Sequence, residues 1–369
     1  MMSIKFVDLP RQNKNLKNKI SSVIGKIVES AYFIEGEPLR TFEKSFAKFC
    51  NKKYAIGLNS GTDALKLALI AYSIKEGDEV ITVPNSYFST AMVISEIGAK
   101  PVFVDIDPDT YTIDTNKIEK AISKKTKAII PVHLFGQAAN MGPILKISRK
   151  YGLVIIEDAC QAHGAKYNGK MVPVSETGAF SFYPGKNLGC FGDGGALVTD
   201  NYDIAKKILA LRNDGSIKKN YHEVFGIKSR LDSLQAAILS LKLRYLSRWN
   251  LKRRNNAVLY TKLLKKITNI KVPLEANYAT HIFHIYAIEI DKRRDELRTY
   301  LKKNGIETGI HYPIPIHLQP PYRKLGFKVG DFPETEMKAK KILSLPMFPE
   351  LTINEIRYIS KKIEDFFKS

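Results

Sequence analysis

The hydrophobic positions of this chain fall into short continuous runs separated by stretches of helical period. Apolar runs occupy Tyr54–Leu58, Glu79–Val83, Pro101–Val104, Ala128–Val132 and Leu153–Ile156. Between them, residues around Ala64–Tyr72, Ala91–Ile97, Ile118–Ser123 and Ile144–Tyr151 repeat their apolar side chains at helical spacing. Runs without in/out alternation need cover on both faces, so the repeated strand–helix pattern predicts an α/β architecture with a parallel sheet between helical layers. Ahead of this region, Glu37–Phe49 places Phe42, Phe46 and Phe49 on one helical face. Beyond it, Ala196–Thr199 is another apolar strand, and Lys242–Lys266 carries Leu243, Leu246, Trp249, Leu259 and Leu263 at helical spacing. That segment predicts a long amphipathic helix with a solvated basic face. His281–Ile290 alternates and predicts a half-buried strand. The change of pattern near Trp249 predicts two domains, 1–248 and 249–369, the second a smaller α+β unit.

In open α/β sheets ligands collect at the carboxyl ends of the strands, and three of these ends carry distinctive chemistry. After the first comes Asn59-Ser60-Gly61-Thr62-Asp63, a small-residue turn opening a helix. Its free amides and hydroxyls suit a phosphate, although a plain N-cap uses the same residues. After the second comes Pro84-Asn85-Ser86-Tyr87-Phe88, whose Tyr87 can stack on a planar ring or simply fill core. After the fifth comes Glu157-Asp158-Ala159-Cys160-Gln161-Ala162-His163. Two carboxylates at the end of a buried strand require partners, and His163 reads either as catalytic or as a hydrogen-bonded structural residue. Further on, Ser181-Phe182-Tyr183-Pro184-Gly185-Lys186-Asn187-Leu188-Gly189 presents one lysine on a turn. A partly desolvated lysine amine aimed at a carbonyl is a nucleophile, whether the carbonyl is a substrate's or pyridoxal phosphate's.

Composition narrows the classes. The 369 residues are 44% hydrophobic, enough for a large core. No apolar run reaches about 18 residues, and Met1-Met2-Ser3-Ile4-Lys5 lacks a signal-peptide core, which predicts a cytoplasmic chain that does not cross a membrane. Cys50, Cys160 and Cys190 are too few and scattered for a disulfide framework or a zinc site, and no metal-spaced His/Asp cluster appears. Lys and Arg number 58 against 37 Asp and Glu, a formal net charge of +21. Such charge raises a basic regulatory or nucleic-acid-binding protein as an alternative, but that reading needs a basic arm or a helix-turn-helix, and the sequence has neither. The same field would favour an anionic small-molecule substrate.

The segment from Ser181 to Gly195, with the motifs above in the same order, resembles the cofactor-lysine region of the DegT/DnrJ/StrS family of pyridoxal-phosphate sugar aminotransferases. The resemblance runs from about Phe33 to about Leu351. It implies the fold type I architecture of these enzymes, the aspartate-aminotransferase fold: a large, mostly parallel central sheet flanked by helices, with a smaller C-terminal α+β domain. It implies pyridoxal phosphate carried on Lys186, with Ser60, Gly61, Thr62 and Ser181 around the phosphate and Tyr87 over the ring. Cys160 would lie beneath the ring, Gln161 on its phenolic oxygen and Asp158 against its nitrogen, while Lys186 would also move protons. In most relatives the third residue of the segment Gly226–Asp232 is Asn and reaches the cofactor phosphate of the neighbouring subunit. Here Lys228 stands at that position, in an implied homodimer with shared active sites. The implied reaction moves an amino group from glutamate to a nucleotide-linked keto sugar, in deoxyamino-sugar biosynthesis for lipopolysaccharide or another glycan. Members acting at the sugar C-4 tend to have His where this chain has Tyr183, so the resemblance favours C-3 of a dTDP- or UDP-linked 3-keto hexose, with C-4 amination as the alternative. Dehydrating members have His in place of the lysine, and Lys186 argues against that chemistry. His311 and Tyr312 are expected to border the substrate.

Overall fold

Seven strands form the central sheet of the computed structural model, which describes residues 3–218 and 220–368; Met1 and Met2 of the N-terminal reading lie outside the described residues. They are β1 (Tyr54–Leu58), β2 (Glu79–Thr82), β3 (Lys100–Phe103), β4 (Thr126–Ile129), β5 (Val154–Asp158), β6 (Thr177–Ser181) and β7 (Gly195–Thr199). Their spatial order is β1-β7-β6-β5-β4-β2-β3. The pairs from β3 through to β6 are parallel, whereas β7 runs antiparallel to both β6 and β1. Because β7 is reversed, its first residue, Gly195, sits opposite the last residues of β1 and β6, Leu58 and Ser181.

Successive residues of each strand enter opposite cores, which is why the runs are continuously apolar. Ile56 and Leu58 pack with helices α2 (Gly61–Ala71), α3 (Ser89–Glu96) and α5 (Tyr202–Leu211), while Ala55 faces α1 (Glu37–Phe49) and α6 (Ser233–Leu264). Ile155 joins Ile144 and Ile147 of α4 (Met141–Tyr151), and Ile156 turns to the α2 side. On the α1 face Phe42, Phe46, Phe180 and Phe182 meet edge-on at 5.0–5.3 Å between centroids. Burying each such ring stabilises the fold by about 2–3 kcal/mol.

The smaller unit holds a three-stranded antiparallel sheet, β8 (Ile270–Lys271), β9 (Tyr286–Ile290) and β10 (Ile342–Leu345), with helices α7 (Arg294–Lys303) and α8 (Ile353–Lys368). Two sequence expectations change here. The strand expected over His281–Ile290 is confined to Tyr286–Ile290 and is buried on both faces, because Tyr286, Ile288 and Ile290 enter the small core while Ile285 and Ala287 pack against the large one. The basic helix begins at Ser233 and is not simply solvated: Lys242 and Arg253 are 1% and 2% exposed. The expected 248/249 boundary falls within this unbroken helix, and Ile4 packs in the C-terminal core with Tyr260 and Leu297. Among the described residues no helix is long and apolar enough to cross a membrane.

Candidate active site

The ends of β1, β5 and β6 meet in one cleft because β7 draws β1 and β6 together. Ser60 caps α2, its Oγ accepting from Asp63 N at 3.0 Å, and the first amides of the helix are left without intrahelical acceptors. Gly195 is glycine for contact: a Cβ there would collide with the Ser60 carbonyl carbon. A Cβ on Gly61 would lie 2.7 Å from Cys160 Sγ and 2.8 Å from Ser181 Cβ. The turn Ser60–Thr62, Cys160 and Ser181 therefore form one small cradle at a helix N-terminus, where backbone amides and the helix dipole favour an anion.

Next to the cradle, Asp158 is 5% exposed at the end of β5. One carboxylate oxygen accepts from Thr90 Oγ1 at 2.8 Å and the other from Cys160 N at 3.2 Å; Ser86 Oγ lies 2.8 Å from the Thr90 hydroxyl. The neighbouring carboxylate points the other way, since Glu157 binds His133 Nε2 at 2.6 Å and also accepts from Ser175 N. The buried pair expected from sequence is thus split, each member satisfied on its own face of the sheet. Lys186 is half-buried on its turn, its amide donating to Tyr183 O at 2.8 Å. Burial lowers its amine below the ordinary lysine range, against the pull of Cys160 and Asp158. Burial, and then the Lys186 charge, push His163 down to about 3 and His311 down to about 4. His163 lies between the Phe180 and Phe182 rings, and its ring nitrogens form no well-aligned hydrogen bond, only a weak backbone contact with Ser181.

Gln161 spans the cleft floor: its Oε1 accepts from Phe135 N at 2.9 Å and its Nε2 donates to Tyr312 OH at 3.1 Å. Tyr87 is 60% exposed, its ring 6.1 Å from that of Tyr312 and tilted by 49°. An amine on a turn, a buried carboxylate, an open aromatic face and an amide-lined cradle together match a cofactor with an aldehyde, a ring nitrogen and a phosphate. A model of the DegT/DnrJ/EryC1/StrS aminotransferase family matches residues 14–364.

The chain belongs to that family. It is 47% identical over 370 residues to a Geobacillus stearothermophilus protein named pleiotropic regulatory protein, covering 100% of this chain and 99% of the relative. It is 42% identical over 349 residues to the Streptomyces venezuelae dTDP-3-amino-3,4,6-trideoxy-alpha-D-glucose transaminase, covering 94% and 92%. The crystal structure of S. venezuelae DesV in complex with a ketimine intermediate superposes with a TM-score of 0.98 at 39% identity, each chain covered completely. The fold is type I, and the cofactor of the family is pyridoxal phosphate.

Within this aminotransferase, Ser60, Gly61, Asp158, Cys160, Gln161, Ser181 and Lys186 gather around the cleft, Thr62 follows in the first turn of α2, Tyr312 bonds Gln161 and Tyr87 is exposed beside it. His311 binds Ser344 Oγ through Nδ1 at 2.9 Å and stacks on Phe6 at 5.5 Å. Tyr183 is 60% exposed, its amide turned back to Ser181 Oγ at 3.3 Å. Lys228 stands apart: its ammonium pairs with Asp214 at 2.7 Å on the surface, while its neighbour Ser229 bonds Asp63 at 2.7 Å and Asn59 N at 3.2 Å. Thr90, Ser86, Asn187 and His284 are not singled out by sequence. Thr90 could have been noticed as a hydroxyl three residues beyond Tyr87 at a helix start, and Asn187 as the residue after the lysine. His284, which binds Asn187 Oδ1 at 3.2 Å, comes from the small unit and has no local signal.

Proposed function

We propose that this chain transfers the amino group of an amino acid, glutamate by preference, to C-3 of a keto sugar carried on dTDP or UDP. The observation that carries the reading is the half-buried Lys186 amine, electrically coupled to Asp158 and set beside an amide-lined cradle. Bound pyridoxal phosphate supplies an electron sink for the carbon that gains or loses the amino group. In this reading Ser60, Gly61, Thr62 and Ser181 hold the phosphate, and Tyr87 and Cys160 flank the ring. Asp158 keeps the ring nitrogen positively charged, held in line by Thr90. Gln161 has an N–H left after bonding Tyr312 and offers it to the phenolic oxygen. Lys186 would hold the cofactor's aldehyde carbon and, as a free amine, would carry the proton between the donor's α-carbon and the cofactor; burial that lowers its affinity for a proton suits that task.

The substrate assignment rests on the Tyr183 context and on the S. venezuelae relative named for a 3-amino sugar. Tyr183, His311 and Tyr312 border the sugar side. We further propose a homodimer with shared sites, working in the cytoplasm as two units divided near 248/249. Support for the dimer comes from the exposed apolar side chains Tyr221, Val224 and Phe225, beside the segment that presents Lys228, and from exposed Phe33 and Ile34, which the chain sets against the start of α6. Incubating the pure chain with pyridoxal phosphate, glutamate and matched 3-keto and 4-keto nucleotide sugars tests the reading. Amination of the 3-keto compound is expected; exclusive use of the 4-keto compound refutes the C-3 assignment. A chain that stays colourless with the cofactor and turns over neither sugar refutes this assignment of the site residues and of the substrate.

A further inference from the structure

The loop carrying Lys186 is fastened to one face of α6 at three points. Phe191 N donates to Gln235 Oε1 at 2.8 Å, the Lys242 ammonium donates to the Gly189 carbonyl, and Asn187 Nδ2 donates to Asn250 Oδ1 at 2.9 Å. Residues 235, 242 and 250 are spaced by about two helical turns and so share one face. Their partners step back along the loop two residues at a time, from 191 to 189 to 187, so helix and loop run antiparallel with one tie per two turns of helix.

The middle tie is the unusual one. Lys242 is 1% exposed, and its ammonium meets a carbonyl instead of a carboxylate, under the rings of Phe191 at 5.4 Å and Trp249 at 6.0 Å. Burial lowers its pKa to about 8, with Cys190 and Glu350 the groups that pull it back up. Among the described residues no carboxylate pairs with this buried cation, and the cost of desolvating the ammonium offsets much of what its hydrogen bond to Gly189 contributes to the fold. The tie has a local purpose, because Gly189 is pressed onto the turn that presents the lysine: a Cβ there would collide with Pro184 O. The Gly189 backbone thus lies close against Pro184, two residues before Lys186.

We propose that Lys242, with Gln235 and Asn250 on either side, is a positioning residue that sets where the Lys186 amine stands in the cleft. This rests on the reading of Lys186 as the cofactor lysine. The test uses the full chain freed of cofactor, as wild type and as Lys242→Met. Each is mixed with pyridoxal phosphate, quenched with borohydride at a series of times, and the fraction fixed on the Lys186 peptide is read by mass, beside a thermal melt. Lys242→Met is expected to capture the cofactor about tenfold more slowly, the loss of one hydrogen bond to a charged group, while its melting temperature stays within about 3 °C of wild type, because relief of the buried ammonium offsets the unpaired Gly189 carbonyl. A residue that served only the fold would lower both together. Equal capture rates in the two proteins overturn the proposal. Wild type that is never fixed at Lys186 instead overturns the reading of Lys186 itself. Should Lys242→Met not fold, Gln235→Leu frees the Phe191 amide in the same assay, and a capture rate equal to wild type again overturns the proposal.

Discussion

Replacing Thr90 by valine isolates the hydrogen bond that holds Asp158. Thr90 is 2% and Asp158 5% exposed, so no solvent takes the hydroxyl's place easily. The substitution keeps shape and deletes one 2.8 Å donor to a carboxylate oxygen, and it also leaves Ser86 Oγ without its 2.8 Å partner. A bond to a charged group is worth about 1.5–3 kcal/mol, so the cofactor-free chain should lose about 2 kcal/mol. In a chain of this size that lowers the melting temperature by about 2–3 °C. Thr90→Ser keeps the hydroxyl and should lose less than half as much. To separate the bond from packing, Thr90→Val is combined with Asp158→Asn and the apo proteins are unfolded in denaturant. If the hydroxyl serves the carboxylate, Thr90→Val should cost about 1 kcal/mol less in the Asp158→Asn background, because only a neutral bond remains to lose. Additivity within about 0.3–0.5 kcal/mol would refute the assignment of Thr90 as the group that holds Asp158.

Lys186→Ala should abolish turnover and borohydride fixation of the cofactor while the far-UV spectrum and melt stay near wild type; residual transamination would remove Lys186 from its role. Asp158→Asn should retain the cofactor yet slow turnover by about 10²–10³-fold, since a neutral amide cannot hold the ring nitrogen charged; near-normal turnover would contradict that role. Lys228→Ala should leave the stability near wild type, its Asp214 pair being exposed, but weaken cofactor retention. A mixed dimer with Lys186→Ala chains should then regain one tight site, and equal weak retention in mixed dimer and homodimer would end the idea of a contact across subunits. Burial holds His163 and His281 near a pKa of about 3 in the folded chain, whereas the unfolded chain takes up those protons near 6.5. Above about pH 6.5 both states are neutral; as pH falls from there toward 3 the unfolded state binds more protons, so stability drops by about 1.4 kcal/mol per unit for each ring. His163→Leu should flatten that slope by one proton, and an unchanged slope would show that the ring titrates in the folded chain.

The apolar runs located the strands because a sheet covered on both faces demands uninterrupted apolar residues, a demand visible in one dimension. Tyr54–Leu58 matches β1, and the runs read at Glu79–Val83, Pro101–Val104 and Leu153–Ile156 differ from β2, β3 and β5 by one or two residues. The run at Ala128–Val132 is displaced from β4, Thr126–Ile129, since pairing with β2 and β5 sets where the ladder stops. Thr177–Ser181 gives no strand signal in sequence: with Gly178 and two hydroxyl residues it has little apolar character of its own, and it is extended because β5 and β7 pair with it on either side. His281–Ile290 reads as half-solvated because alternation records two different surroundings, and here both are protein.

The sequence by itself determined the alternation of helices with the apolar strands, the small-residue turn at Ser60–Thr62, the lysine on its Pro-Gly turn and the carboxylate at the end of β5. These depend on local backbone preference and on side-chain polarity, properties each segment carries wherever it lies. Tertiary structure alone decided which of them meet. The reversal of β7 brings Gly195 against Ser60 and Ser181. Thr90 reaches Asp158 across 68 residues, and Tyr312 reaches Gln161 across 151. It also decided that Lys242, one lysine among many on a basic helix, is buried while Lys228 stays on the surface. Such outcomes are set by what packs over a residue, and that cover comes from distant parts of the chain whose approach is fixed only when the two cores close.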